Sequence, residues 1–158
     1  MNKTKYLVVG NSVAGIACVE GIREGDPDGD ILLAAKEAHH TYSRPLITYL
    51  LGGKVDESNL DYRDPDFYDK MGVETALGTA ITQVNPTDHT VETADGSRIQ
   101  YEKLLIGVGG EPIVPPGIEN SDAEGVLVHK NGETVHAQAD LREEGVLFTD
   151  LRTAVREH

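Results

Sequence analysis

The apolar run Tyr6-Leu7-Val8-Val9 leads straight into Gly10-Asn11-Ser12-Val13-Ala14-Gly15, and beyond it apolar residues recur at near-helical spacing. A continuous apolar run ending in glycine reads as a strand buried on both faces of a parallel sheet. Val13, Ile16, Ala17, Val19 and Ile22 then predict a helix over Val13 to Arg23, stopped by the breakers of Asp26-Pro27-Asp28-Gly29-Asp30. Ile31 to Ala35 gives a second apolar strand. Together these spell a βαβ unit with parallel neighbouring strands and a right-handed crossover, the start of an α/β domain.

In that setting the glycine turn has chemical meaning. Gly10 permits a tight turn, Gly15 lets helix and strand approach, and the first-turn amides around Val13 and Ala14 face an anion such as a pyrophosphate. Ser12 replaces the usual middle glycine of a dinucleotide fingerprint, so its side chain either points aside or donates its hydroxyl to the phosphate. The plainer alternative is a strand-to-helix turn that binds nothing, and the position between strand and helix weighs against it. Glu37 lies just after the second strand, where an acidic residue accepts hydrogen bonds from the adenosine ribose; an ordinary solvated glutamate is its plain reading. A carboxylate there repels a 2′-phosphate, which favours FAD or NAD over NADP at this site.

Further along, Leu46 to Leu51 predicts a short helix stopped at Gly52 and Gly53, and Tyr62, Phe67 and Tyr68 are spaced to anchor an acidic segment, Val55 to Met71, to the body. Short strands are expected at Val73 to Ala76 and Ala80 to Val84. Asp95-Gly96 signals a hairpin between Thr90 to Thr93 and Ser97 to Tyr101, and Leu104 to Ile106 reads as another buried strand. Asn131-Gly132 signals a second hairpin between Gly125 to Lys130 and Glu133 to Ala139, with a last strand near Gly145 to Thr149 and a helical tail from Leu151.

The 158 residues, 39% of them hydrophobic, suffice for one ordinary core. With 27 acidic and 14 basic residues the net charge is −13, which argues against a nucleic-acid face or an anionic membrane surface. It fits a basic protein partner and a saline solvent equally well. The single cysteine, Cys18, forms no internal disulfide and no redox pair, and reads as a packed thiol in a cytoplasmic protein. No apolar run reaches membrane-spanning length, and the six histidines, His39 and His40 included, show no metal-ligand spacing.

Three segments taken in order carry a family resemblance: GNSVAG, then YSRPLITYLLGGK at Tyr42 to Lys54, then LLIGVGGEPIVPPGIE at Leu104 to Glu119. Over about residues 4 to 119 the chain resembles the FAD-binding part of the pyridine nucleotide-disulfide oxidoreductase superfamily. It is most similar there to NADH-dependent rubredoxin reductases and to the flavin module of assimilatory nitrite reductase large subunits. The resemblance implies a Rossmann-like FAD-binding domain, with a parallel sheet and a β-hairpin or meander insertion. It implies a core at residues 1–119 and, at 120–158, a hairpin extension with a C-terminal strand and helix of the same domain.

Residue by residue, Arg44 and Pro45 match the element beside the flavin and its phosphates. A guanidinium near a pyrophosphate also makes sense unaided, with a surface ion pair as the alternative. Ile81, with Ala80, matches the position where backbone atoms hold adenine. Gly109 matches the glycine of a conserved-type ATG element, written Gly107-Val108-Gly109 in this chain, where it is expected to give close backbone approach. The redox cysteine of several branches is missing from SRPLITY.

The NAD(P)H-binding unit, a later glycine-aspartate strand and an interface domain are expected outside this chain, in further domains or a second chain. Self-association at the exposed edge is a further expectation. The expected function is therefore the FAD-binding module of an NAD(P)H-dependent oxidoreductase, passing electrons to a protein or small-molecule acceptor and inactive alone. A non-catalytic nucleotide-binding or assembly subunit is the alternative. No general acid, base or nucleophile is assigned.

Overall fold

The computed structural model describes residues 2–110 and two further strands, Gly125–Lys130 and Glu133–Gln138. The apolar run at Tyr6 is the second half of β1 (Asn2–Val9), which reaches further toward the N-terminus than the hydrophobic pattern alone. Parallel strands flank β1 on both sides: β2 (Ile31–Ala35), in register from Tyr6↔Ile31 to Val9↔Ala34, and β6 (Arg98–Ile106), from Asn2↔Ile99 to Val9↔Ile106. With β3 (Val73–Leu77), β4 (Ile81–Asn85) and β5 (Thr90–Thr93) they form one six-stranded sheet in the order β3-β2-β1-β6-β5-β4. The strands β3, β2, β1 and β6 run parallel, and β5 and β4 continue the sheet antiparallel. This is the parallel sheet with a meander that the sequence leads one to expect.

Alternation along the strands splits the core into two layers. Val8, Ile31, Leu33 and Ala35 point to one face, where they pack with Ile16 and Val19 of α1 (Val13–Gly25) and with Phe67 and Tyr68 of the short helix α3 (Phe67–Lys70). Leu7, Val9, Leu32 and Ala34 point to the other, against Val91, Ile99 and Tyr101 of the meander. Each large apolar side chain buried this fully stabilises the fold by about 1.5–3 kcal/mol relative to exposure. The core-facing stripe of α1 is narrower than the spacing suggests. Ile16 and Val19 are fully buried, whereas Val13 is 57% exposed at the open end of the helix.

Two expectations change in detail. Leu104 to Ile106 is not a separate buried strand but the last third of β6, and Ile106 is more than half exposed. The reason is that β5 pairs with Arg98 to Gln100, so among the described residues the far end of β6 has β1 on one side and no strand partner on the other. The helix expected from Leu46 begins as a 3-10 turn over Arg44–Leu46 and becomes α2 only at Ile47–Leu51. Phe67 and Tyr68 do anchor the acidic segment, each with less than a tenth of its surface exposed.

The chain divides into two units, Met1–Gly109 and Gly110–His158. In the second, β7 (Gly125–Lys130) and β8 (Glu133–Gln138) pair antiparallel up to Lys130↔Glu133, and Asn131 and Gly132 between them lie outside the described residues. The strand expected near Gly145 and the helix expected from Leu151 lie outside the described residues.

The Asp26 to Asp30 turn is held by charge as well as by its proline and glycine. Lys5 Nζ and the Tyr6 hydroxyl both reach Asp26 Oδ2, at 2.6 and 2.9 Å, and the Gly29 amide donates to Oδ1 at 3.0 Å. Arg23 ties the same corner to the start of β3, donating to the carbonyls of Gly29, Met71 and Gly72. The hydrogen bond from Lys5, then that from Tyr6, hold the Asp26 carboxyl well below its usual value, at about 2. Its contribution to stability is therefore complete above about pH 4 and is lost as pH falls toward 2. Between pH 4 and pH 2 the melting temperature of the wild-type chain should fall further than that of Asp26→Asn; parallel pH profiles would remove this cluster from the account.

Candidate functional site

The site grows from the place where β1 ends between its two parallel neighbours. The Gly10 amide donates to the Ala34 carbonyl of β2 at 2.8 Å, and the Gly107 amide, just past β6, donates to the Val9 carbonyl at 2.7 Å. The three strand ends are thereby locked together at the carboxyl edge of the sheet, where parallel α/β sheets bind their ligands. Gly10 takes a positive φ of 115°, and a Cβ there would lie 2.3 Å from the Gly107 carbonyl oxygen. At Gly15 an added Cβ would sit 2.0 Å from the Gly10 oxygen. Both positions are thus closed to any side chain, because the turn, the helix and the end of β6 share one small volume.

Out of that turn α1 starts with its N-terminus open. Ser12 is the N-cap, with extended dihedrals of −124° and −167°, and its carbonyl closes the first turn through the Ile16 amide at 3.0 Å. Its hydroxyl makes no capping hydrogen bond, which leaves it available to a ligand. The first turn carries no acidic residue, a notable gap in so acidic a chain. Val13 and Ala14 are exposed, so the amides that a helix cannot satisfy internally emerge beside an unoccupied hydroxyl donor.

The other candidates gather beside this turn to different degrees. Glu37 follows β2 and is bound by Arg44, whose Nη2 lies 2.6 Å from Glu37 Oε1, with the Arg44 guanidinium 5.1 Å from the centre of the Tyr42 ring. The sequence assigns the two to different parts of a ligand; the fold brings them into one ion pair. Pro45 is exposed at the start of the 3-10 turn. The stretch preceding that turn is clamped by backbone bonds, Ser43 N to Leu60 O at 2.7 Å and Tyr62 N to Thr41 O at 3.0 Å.

Gly78 donates to the Glu37 carbonyl at 3.1 Å, which places the β3 to β4 turn next to Glu37. Ile81 opens β4 just beyond, half-buried against the meander face of the core. Gly109 has a positive φ of 74°, and among the described residues no atom lies within 4 Å of its would-be Cβ. A close approach within the protein is made at Gly107, whose would-be Cβ lies 3.3 Å from Ala14 Cβ and 3.5 Å from the Gly15 nitrogen. Cys18 is half-buried against the core, and burial pushes its thiol pKa up, so it stays protonated.

Sequence reasoning missed three members of this region. Gly107 was visible as part of Gly107-Val108-Gly109 but not as the wall behind Gly10. Asn11 and Tyr68 are joined by a hydrogen bond of 2.7 Å across 57 positions, and no local pattern announces that. Two surface cavities, of about 430 Å³ beside Tyr62 and Phe67 and about 310 Å³ between Leu32, Ala76 and Asp95, lie away from the turn. An anion held by amides at a helix end needs a concave rim rather than a deep hole, so their position does not conflict with the site.

The model of the pyridine nucleotide-disulphide oxidoreductase family matches residues 4–152. This chain belongs to that family. It is 35% identical over 113 residues to the NADH-dependent phenylglyoxylate dehydrogenase subunit epsilon of Aromatoleum evansii, a match covering 72% of this chain and 27% of the relative. It is 29% identical over 133 residues to a nitrite reductase [NAD(P)H] of Bacillus subtilis (strain 168), covering 83% and 16%. The crystal structure of NADH:rubredoxin oxidoreductase from Clostridium acetobutylicum superposes with a TM-score of 0.66 at 22% identity, covering 83% of this chain and 33% of that one. The nitrite reductase branch picked out by the sequence motifs is thus among the relatives, and the rubredoxin reductase shares the fold. The chain spans a third or less of the length of these proteins.

The packing at the turn gives a sharp test. Gly15→Ala forces backbone against backbone and should cost about 3 kcal/mol of stability, at the upper end of ordinary overpacking. Gly21, in the same helix, has nothing within 4 Å of an added Cβ. Gly21→Ala should therefore stabilise the chain by about 0.5–1 kcal/mol. Urea denaturation of both variants measures the contrast; equal effects of the two substitutions would contradict the crowding at Gly15.

Proposed function

We propose that this chain holds FAD, with the cofactor's pyrophosphate on the N-terminus of α1, as the flavin-binding unit of an NAD(P)H-dependent oxidoreductase. The observation that carries the reading is the cradle itself. Gly10 and Gly15 leave no room for side chains, the first turn of α1 carries no carboxylate, and the Ser12 hydroxyl points to no partner of its own helix. In this reading Ser12 and the amides of Val13 and Ala14 donate to the phosphates. Glu37 accepts from the adenosine ribose, oriented by its bond to Arg44, and Arg44 offers positive charge to the phosphates while Pro45 sets the entry of the 3-10 turn beside the flavin. Backbone atoms at Ile81 border the adenine, and the backbone of Gly109, in its left-handed conformation, comes up to the flavin side.

When bound, FAD supplies the hydride and electron transfer; the residues of this chain bind and orient it. NAD(P)H then engages protein outside this chain, whether further domains or a second chain, and the electrons leave for an acceptor that is itself a protein or a small molecule. Among the described residues no helix is long and apolar enough to cross a membrane. The reading places the chain in the cytoplasm.

Titration of the purified chain with FAD, followed by its visible absorbance and by fluorescence, tests the reading. The wild-type chain should turn yellow and retain the flavin through gel filtration. Ser12→Ala and Glu37→Gln should each weaken FAD about tenfold, the value of one charge-assisted hydrogen bond lost from a desolvated contact. A chain that stays colourless and takes up no added FAD sinks the proposal. Retention of FAD without bleaching by NADH under anaerobic conditions is the expected result for a unit whose NAD(P)H site lies elsewhere.

A further inference from the structure

Asn11, the residue that follows the first glycine of the turn, is held from outside the fingerprint. The Thr41 backbone amide donates to the Tyr68 hydroxyl oxygen at 3.1 Å, so that hydroxyl must give its own proton to Asn11 Oδ1, 2.7 Å away. Asn11 Nδ2 in turn donates to the His39 carbonyl at 3.0 Å. These partners fix which way round the amide sits, since its oxygen meets a donor and its nitrogen an acceptor. Tyr68 has little freedom to turn away. It is 9% exposed and packed edge-on by His40 and Phe67 at ring distances of 4.9 and 5.6 Å. Burial raises the phenol pKa above its ordinary value and so keeps the donor protonated. Thr41 is fully buried, and its amide meets Tyr68 rather than water.

The three bonds join segments that the chain keeps apart. One is the turn that faces the phosphates, and the other is His39 to Thr41, lying between Glu37 and Arg44. A ligand that spans two loops must order both, and each loop ordered in advance lowers that cost. We propose that Asn11 and Tyr68 are positioning residues that lock the phosphate-facing turn to the loop carrying Glu37 and Arg44, so that a dinucleotide meets both halves of its site already aligned. The nature of that ligand rests on the FAD reading above; the mechanical coupling of the two segments does not.

Tyr68→Phe keeps the ring and removes the hydroxyl, and hydrogen exchange on the ligand-free chain reads the coupling directly. The amides of Gly10 and Ile16, bound to the Ala34 and Ser12 carbonyls, and those of Ser43 and Tyr62, bound to the Leu60 and Thr41 carbonyls, should exchange about tenfold faster together, while those in the middle of β1 and β6 keep their wild-type rates. The dissociation constant for FAD should rise about tenfold. Val91→Ala, in the opposite layer of the core, is the control for mere destabilisation. It should lower the melting temperature without loosening either segment or weakening FAD. Asn11→Ala removes two of the same bonds from a half-buried position and serves if Tyr68→Phe fails to fold.

Unchanged exchange in both segments overturns the proposal, as does faster exchange with unchanged FAD affinity or an equal response to Val91→Ala. A wild-type chain that takes up no FAD overturns the FAD reading instead, and the exchange comparison then decides the coupling alone.

Discussion

The contact between Gly15 and the Gly10 carbonyl is the constraint on which the rest of the site depends. It sets how closely α1 can lie against the end of β1, and therefore where the amides of its first turn emerge. Gly107 completes the arrangement from the other side, so that the loop after β6 backs the turn rather than merely passing near it. All three residues sit where parallel strands end together, and the backbone bonds from Gly10 to Ala34 and from Gly107 to Val9 hold that edge in register. A helix packed even slightly further out would leave a wider turn, and its dipole and amides would face solvent with no defined position for an anion.

Charge reinforces what packing defines. The chain carries a net charge of −13, yet the first turn of α1 has no carboxylate, and Glu37, just after β2, is bound to Arg44. A negatively charged cofactor can approach this edge without meeting the repulsion that the rest of the surface would impose. The ion pair also gives Arg44 a fixed place before any ligand arrives. The arrangement suits a reductase family member whose own side chains position a cofactor rather than perform acid-base chemistry.

Much of this is legible in the sequence because the determining residues are local. The Tyr6 run, the Gly10 to Gly15 turn and the Ile31 run lie within 35 residues and fix the βαβ unit, and two Gly-containing dipeptides mark both hairpins. What was illegible depends on distant partners. Whether Leu104 to Ile106 is a strand of its own or the end of β6, and how much of it is covered, follows from where β5 stops pairing, a property of the sheet and not of those residues. The salt bridge of Glu37 with Arg44 needs the loop after β2 to fold back, which the backbone clamps at Ser43 and Tyr62 accomplish. Nothing local marks Asn11, because its partner, Tyr68, lies 57 positions away in an acidic segment whose pattern shows only that it is anchored to the body. Gly107 stands beside Gly109 in the sequence with nothing local to distinguish the two, and only the folded chain reveals that Gly107 faces Ala14.

The account stands or falls on where the cofactor binds. Adding FAD stepwise to the isotopically labelled chain and following each backbone amide by NMR locates it directly. Binding at the α1 N-terminus predicts the largest shifts at Gly10 and at Ser12 to Gly15, with smaller ones at Glu37 and at Gly107 to Gly109. Shifts confined to the cavity between Leu32, Ala76 and Asp95, or FAD binding that leaves the Gly10 to Gly15 amides unmoved, would contradict it.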